Sequence, residues 1–181
     1  MLIQKYHPIW KDNFEKIKTE IQKALFELEI KIEHVGSTSV VGLAAKPIID
    51  IDLIYYNSID FEKIKTKLSE IGYFHHGNQG IAQREVFKRK DSSENPTVLD
   101  KLKHHLYVCF IKGEELRNHL LFRDFLRKND WEKKEYENLK FELAEEVNQD
   151  RKKYAALKEI RAKKWILSII ELAKKEFGKE L

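Results

Sequence analysis

The stretch Ile48-Ile49-Asp50-Ile51-Asp52-Leu53-Ile54 limits what this chain can fold into more than any other segment. Its apolar content marks a strand in the interior of a sheet. Side chains alternate along a strand with a period of two. Asp50 and Asp52 therefore share one face, and Ile49, Ile51 and Leu53 share the other. Two neighbouring carboxylates in apolar surroundings repel one another and are costly to bury. An edge strand with both aspartates in water would remove the conflict, but the flanking isoleucines argue for burial. A divalent cation resolves it instead. Mg²⁺ suits such a site because it takes carboxylate oxygen together with substrate phosphate and retained water.

A second feature lies upstream. His34-Val35-Gly36-Ser37-Thr38-Ser39 reads as a strand, a turn and a helix start. Glycine allows close approach of a ligand to the backbone. A helix start presents unpaired N–H groups with partial positive charge, which suits phosphate, and the Ser37 and Ser39 hydroxyls add donors. Alone, Gly-Ser-Thr-Ser reads more readily as an ordinary capped turn. Ser37 and Asp50 are thirteen positions apart, room for a short helix to about Ala45 and a return along a neighbouring strand. Phosphate cradle and carboxylates can then face one cleft, the arrangement of the nucleotidyltransferase superfamily.

Hydrophobic periodicity places the other elements. Leu2 to Tyr6 reads as a short strand stopped by Pro8, and Lys11 to Glu27 as a helix. Glu29 to Val35, Tyr73 to His75, Ile81 to Arg89 and His104 to Ile111 read as strands. Asp60 caps a helix that ends at Gly72, and Asp91 to Asp100 reads as a loop. Helical patterns run from Glu114 to Lys128, Trp131 to about Val147 and Asp150 to about Phe177. The last carries an apolar stripe from Leu157 through Ile160 and Trp165 to Ala173. The fold class expected is α/β (α+β), a mixed sheet over residues 1–112 followed by a helical C-terminal third, 113–181, in one domain.

Read from Glu33 to Leu53, the sequence EHVGSTSVVGLAAKPIIDIDL resembles the GrpB family of nucleotidyltransferase-like proteins, whose hallmark is HxGSTSVPGLAAKPxIDI. The similarity extends to Tyr6-His7-Pro8, to His105-Leu106-Tyr107-Val108, to Phe122 through Arg127, and to Tyr136, Lys140, Tyr154 and Lys158. Two departures stand out. Val41 replaces the family proline, and Tyr107 replaces the second histidine of a His-x-His strand. The superfamily also implies a third carboxylate on a later strand, a position open to Glu85 or filled by His105.

The site expected from these readings uses Asp50, Asp52 and His105 as catalytic groups, with Asp50 and Asp52 holding Mg²⁺. Gly36, Ser37, Ser39, Lys46, Arg123 and Arg127 bind nucleotide. Arg123 and Arg127, spaced i, i+4 on one helix face, suit bidentate phosphate binding; the alternative is Arg123 paired with a glutamate on a neighbouring helix. Tyr154 and Lys158 have the same spacing and a possible reach into the cleft.

Composition removes other classes. The single cysteine, Cys109, lies in an apolar run and excludes a disulfide framework or a cysteine zinc cluster. Without cysteines beside them, His75, His76, His104 and His105 are not expected to form a zinc site. The formal charge of +4 is too mild to argue for nucleic acid. The N-terminus lacks the pattern of a signal peptide, and no apolar run approaches the roughly 20 residues that span a bilayer. A soluble cytoplasmic protein with no membrane partner is expected. Three functions compete: Mg²⁺-dependent transfer of NMP from an NTP to an acceptor, a non-catalytic nucleotide-binding or regulatory module, and an RNA-binding helper that uses the C-terminal helices.

Overall fold

The computed structural model describes residues 1–90 and 96–178. Five strands, β1 (Ile30–Val35), β2 (Ile49–Tyr55), β3 (Tyr73–His75), β4 (Arg84–Arg89) and β5 (His104–Phe110), form one mixed sheet. Their order is β1-β2-β5-β4-β3, with only β2 and β5 parallel. β2 thus lies inside the sheet, as its apolar content requires. Six α-helices are found among the described residues: α1 (Ile9–Ala24), α2 (Phe61–Glu70), α3 (Val98–Lys101), α4 (Glu114–Lys128), α5 (Asp130–Glu146) and α6 (Arg151–Phe177).

Strand alternation sorts the two faces of the sheet. Ile49, Ile51 and Leu53 join Leu106 and Val108 in a buried layer with Trp10, Phe14, Ile17 and Ile21 of α1 and Ile64 and Leu68 of α2. The opposite face carries Asp50, Asp52 and Ile54 beside their register partners His105, Tyr107 and Cys109. Leu116 of α4 covers Ile54 and Cys109, which leaves the carboxylate end of that face for a cleft. Burial pushes the Cys109 thiol far above its ordinary range, so it is inert, as its apolar run indicated.

Helices α4 and α6 bury Leu121, Phe125, Ile169, Ile170 and Ala173 against one another. Leu126, Tyr136 and Ala162 close over Val40 and Leu43, which fastens the segment after the Gly-Ser turn to the helical part. Tyr136 and Trp165 stack with centroids 4.9 Å apart. Asp150 caps α6 by accepting from the Lys152 and Lys153 N–H groups.

Several boundaries differ from the sequence reading. Residues 2–6 provide only a bridge, Gln4 to Ala45, not a strand. α1 starts two residues early because Pro8 occupies the cap position, where its missing N–H costs nothing. The short helix expected through Ala45 is a three-residue 3₁₀ turn, Ser37–Ser39. β4 begins at Arg84 rather than Ile81, since Gln79 and Gln83 take positive φ and break the extended run. Of the loop expected over 91–100, residues 91–95 lie outside the described part. Val98–Lys101 is helical, with Thr97 and Asp100 forming a capping box. Ile160 leaves the buried stripe and is 76% exposed.

This layering sets a stability contrast. Ile51→Ala, at a site with no exposure, is expected to cost about 2–5 kcal/mol. Ile160→Ala is expected to stay within about 0.5 kcal/mol. Urea unfolding of both variants checks it, and equal costs would contradict the layer assignment.

Candidate functional site

Gly36 fixes the geometry of the cleft. Its φ is +68°, in the left-handed region, and a Cβ there would sit 2.3 Å from Asp50 Oδ2. Only glycine lets the turn lie this close to the carboxylate. The turn is held from behind. The Thr38 hydroxyl donates to the Ile48 carbonyl (3.2 Å) and is bonded to His34 Nε2 (3.0 Å), so the imidazole N–H is the donor there. Burial lowers His34 to about 4 and keeps it neutral, stacked on Phe14 with centroids 4.6 Å apart.

The cleft has a volume of about 300 Å³ and is lined by Gly36, Ser37, Lys46, Asp50, His105, Tyr107, His119, Lys140, Tyr154 and Lys158, among others. Of the residues expected from sequence, Gly36, Ser37, Lys46, Asp50 and His105 meet here. His105 Nδ1 lies 2.8 Å from Asp50 Oδ1. Asp52 lies on the same face but has no exposed side-chain surface, and its Oδ2 is 2.8 Å from His119 Nδ1. Tyr154 and Lys158 of α6 reach the cleft as well.

Three expected ligands point elsewhere. The Ser39 hydroxyl donates to the Gly36 carbonyl at 2.6 Å and closes the turn on itself. Arg123 donates to Glu33, to the His34 carbonyl and to Asp124. Arg127 donates twice to the Ser39 carbonyl, at 3.2 and 2.9 Å. Both guanidiniums fasten α4 to β1 and to the turn, and they line a separate groove beside α1. The partner of Arg123 is a strand glutamate, not one on a helix. Glu85 is no third carboxylate for this cleft. Its register partner is Val108, on the opposite face, and its own carboxylate binds His75 at 2.6 Å. The position facing Asp50 across the parallel pair is His105.

Two residues that matter went unassigned in the sequence reading. Lys140 of α5 is 1% exposed, donates to the Ala44 carbonyl and reaches Ser37 Oγ at 3.3 Å. The signal was a lysine in the buried stripe that Tyr136, Leu143 and Ala144 define. His119 of α4 joins Asp52 to Glu115, whose carboxylate is 3.4 Å from its Nε2. The signal was Glu115 one turn ahead of a histidine on a helix.

Electrostatics give the cleft its character. Burial lowers Lys46, and the charges of Lys158 and Arg151 lower it further. Burial also lowers Lys140 well below its ordinary value, with Lys158 adding to the effect. Lys158 itself is raised, chiefly by the Tyr136 hydroxyl. The Lys46 ammonium sits over the Tyr154 ring at 5.2 Å and the Lys140 ammonium over Tyr136 at 4.5 Å. Three amines crowded against one another, with only Asp50 among the lining carboxylates, make a site for an anion. The lysine side chains, more than the turn, supply the donors for such a ligand, since a three-residue 3₁₀ turn contributes little dipole.

The fit to a cation is limited and specific. Among the described residues, no group of three or more His, Cys, Asp or Glu side chains could hold a metal on its own. Asp52 Oδ1 is buried without a hydrogen-bond partner, an unsatisfied anionic oxygen beside Asp50. Two carboxylates match the way Mg²⁺ is held when substrate phosphate and water supply the remaining ligands.

The family model described as "GrpB protein" matches residues 1–171. A glutamate-rich protein GrpB from Alkalihalophilus pseudofirmus is 37% identical over 146 residues, covering 80% of this chain and 82% of the relative. The crystal structure of conserved protein GrpB from Enterococcus faecalis is similar at 30% identity with a TM-score of 0.78, over 97% of this chain and 98% of that one. A crystal structure of Cid1 poly(U) polymerase bound to MgGTP aligns at 14% identity over 69% of this chain and 42% of that one, with a TM-score of 0.45, too distant a likeness to carry function.

The His119 pair makes stability depend on pH. Burial pulls the imidazole pKa down, but its bonds to Asp52 and Glu115 outweigh this and raise it from 6.5 to about 10. The folded state therefore binds the proton more tightly than the unfolded one. In the metal-free protein the resulting stabilisation is full below about pH 6.5 and is lost as the pH climbs towards 10. Thermal melts of the wild type and His119→Gln between those limits are expected to converge as pH rises. A constant gap would contradict the charged pair.

Proposed function

The chain belongs to the GrpB family, and from that membership and the cleft's geometry we propose that it binds a nucleoside triphosphate with Mg²⁺ and transfers the nucleoside monophosphate to an acceptor. The observation that carries this reading is the close approach of the Gly36 turn to Asp50 in one cleft that three lysines also line. A phosphate chain there would meet backbone and ammonium donors together with a carboxylate for its counter-cation. In this reading the Gly36 and Ser37 backbone and the Ser37 hydroxyl meet the phosphates, and Lys46, Lys140 and Lys158 neutralise them. Asp50 and Asp52 hold the cation, Asp52 through Oδ1, the oxygen that His119 leaves unpaired. Mg²⁺, when bound, polarises the α-phosphate and neutralises developing charge. His105, held by Asp50, stands at the exposed end of the cleft where an acceptor enters.

A second reading has a specific observation behind it. Asp52 already has a counter-charge in His119, and His105 occupies the position that faces Asp50 on the neighbouring strand. A module that binds nucleotide and transfers nothing fits those facts. No described helix is long and apolar enough to cross a membrane.

A thermal-shift screen of the four NTPs with and without Mg²⁺ tests the common core of both readings. Stabilisation is expected only when NTP and Mg²⁺ are present together, since the protein alone supplies too few ligands for the cation. Lys140→Met and Asp50→Asn are each expected to cut NTP affinity about tenfold or more, as lost charge-assisted contacts do. No shift with any NTP would sink the proposal. Transfer of an α-phosphorus label to an RNA or small-molecule pool separates enzyme from binding module.

A further inference from the structure

The sheet face that carries Asp50 holds a second cavity next to the first, of about 560 Å³, within the size range of ligand pockets. The two share Ile48, His105 and Tyr107 and meet along the β2–β5 pair. Gly36, Ser37 and Lys140 belong to the first cavity alone. The second therefore opens on the side of Asp50 away from the phosphate cradle. Displacement at phosphorus brings the attacking oxygen in from opposite the leaving group. With the triphosphate lying in the cradle, the second cavity is where an acceptor hydroxyl has to sit.

We propose that this cavity binds the acceptor, and that the acceptor is a hydroxyl compound bearing phosphate of its own. The inference rests on reading the neighbouring cleft as a nucleotide site. Its charge argues for the chemistry. Lys88 of β4, Lys103 just before β5 and Arg151 at the start of α6 line it, and all three are exposed. None of them makes an ion pair among the described residues. Among the described residues the one carboxylate that lines the cavity, Asp100, is bound by Arg89 and accepts the Thr97 N–H and hydroxyl. Among the described residues three cations are left without a counter-charge, around a floor that includes Val86 and Tyr107. Phosphate satisfies the rim, and the apolar floor suits the flat face of a ring. The groove beside α1 is larger, but its arginines are already committed to Glu33, Asp124 and the Ser39 carbonyl.

In the step this arrangement serves, the acceptor oxygen forms a bond to the α-phosphorus. The bond from that phosphorus to the bridging oxygen breaks, and its electron pair leaves on pyrophosphate. The hydroxyl proton passes to water at the open mouth beside His105, whose side chain is 47% exposed. The phosphate that marks the acceptor can belong to the 3′ end of an RNA strand or to a small phosphorylated molecule.

The test compares the wild type with the Lys88→Glu, Lys103→Glu double variant, neither residue being part of the nucleotide cleft. Fluorescence anisotropy of a 5′-labelled hexa-adenylate with a free 3′ hydroxyl reads the acceptor cavity, with AMP as competitor. The Mg²⁺–NTP thermal shift reads the first cleft in the same samples. The double variant is expected to lose roughly tenfold or more in hexa-adenylate affinity at low salt and to keep its Mg²⁺–NTP shift. Displacement of the oligomer by AMP at similar concentration assigns a mononucleotide-sized acceptor, and resistance to AMP assigns a strand. Equal binding by both proteins, or no binding of either probe to a wild type that shows the Mg²⁺–NTP shift, would overturn the acceptor cavity. Oligomer binding without any Mg²⁺–NTP shift would overturn the nucleotide reading and the transfer step, and leave a phosphate-binding cavity.

Discussion

The contact between Gly36 and Asp50 is the constraint around which the rest of the site is arranged. A methyl group at position 36 would collide with the Asp50 carboxylate, so the turn and the carboxylate can share a cleft only with glycine there. Several contacts hold that approach in place: neutral His34, the Thr38 hydroxyl, the bridge from Gln4 to Ala45, and the packing of Val40 and Leu43 under α5 and α6. Each belongs to a different part of the chain. The helical C-terminal part is therefore not a passive appendage to the sheet. It clamps the turn and supplies Lys140, Tyr154 and Lys158 to the cleft.

Charge within the site is divided rather than uniform. At the inner end, buried Asp52 is matched by His119, and Glu115 completes the set under α4. At the outer end, Asp50 and His105 face an open cleft and a crowd of ammonium groups. Burying a pair of like charges on one strand face is unfavourable, and the fold relieves it by giving each aspartate its own histidine. Of the inner pair, Asp52 is enclosed by protein and His119 reaches the cleft wall. The outer one stays accessible, which is what an exchangeable ligand requires.

Strand alternation made much of this readable from sequence. It put Asp50, Asp52 and His105 on one face and Leu106 and Val108 on the other, because a period of two is a local property of the backbone. The helices were readable for the same reason, from periodic apolar residues. Whatever depended on how a helix docks on the sheet was not. Arg123 and Arg127 were correctly placed on one face of α4, but only packing shows that this face meets Glu33 and the Ser39 carbonyl. Lys140 and His119 are single polar residues in helical stripes, and nothing local tells which cavity such a stripe overlooks. The short helix after Gly36 failed for another reason. Tertiary contacts of Val40, Leu43 and Ala45 hold those residues in an irregular path that their helix propensity does not predict.

The central claim, that Asp50 and Asp52 share a cation with a nucleotide held by the Gly36–Ser37 turn, is tested most directly by anomalous diffraction. Crystals grown with Mn²⁺ and a non-hydrolysable NTP would locate the metal in place of Mg²⁺. The account expects one strong peak at about 2.1 Å from an Asp50 carboxylate oxygen, bridged to phosphates lying between Gly36 and Lys140. An ordered nucleotide elsewhere on the protein, or a metal peak away from both aspartates, would contradict it.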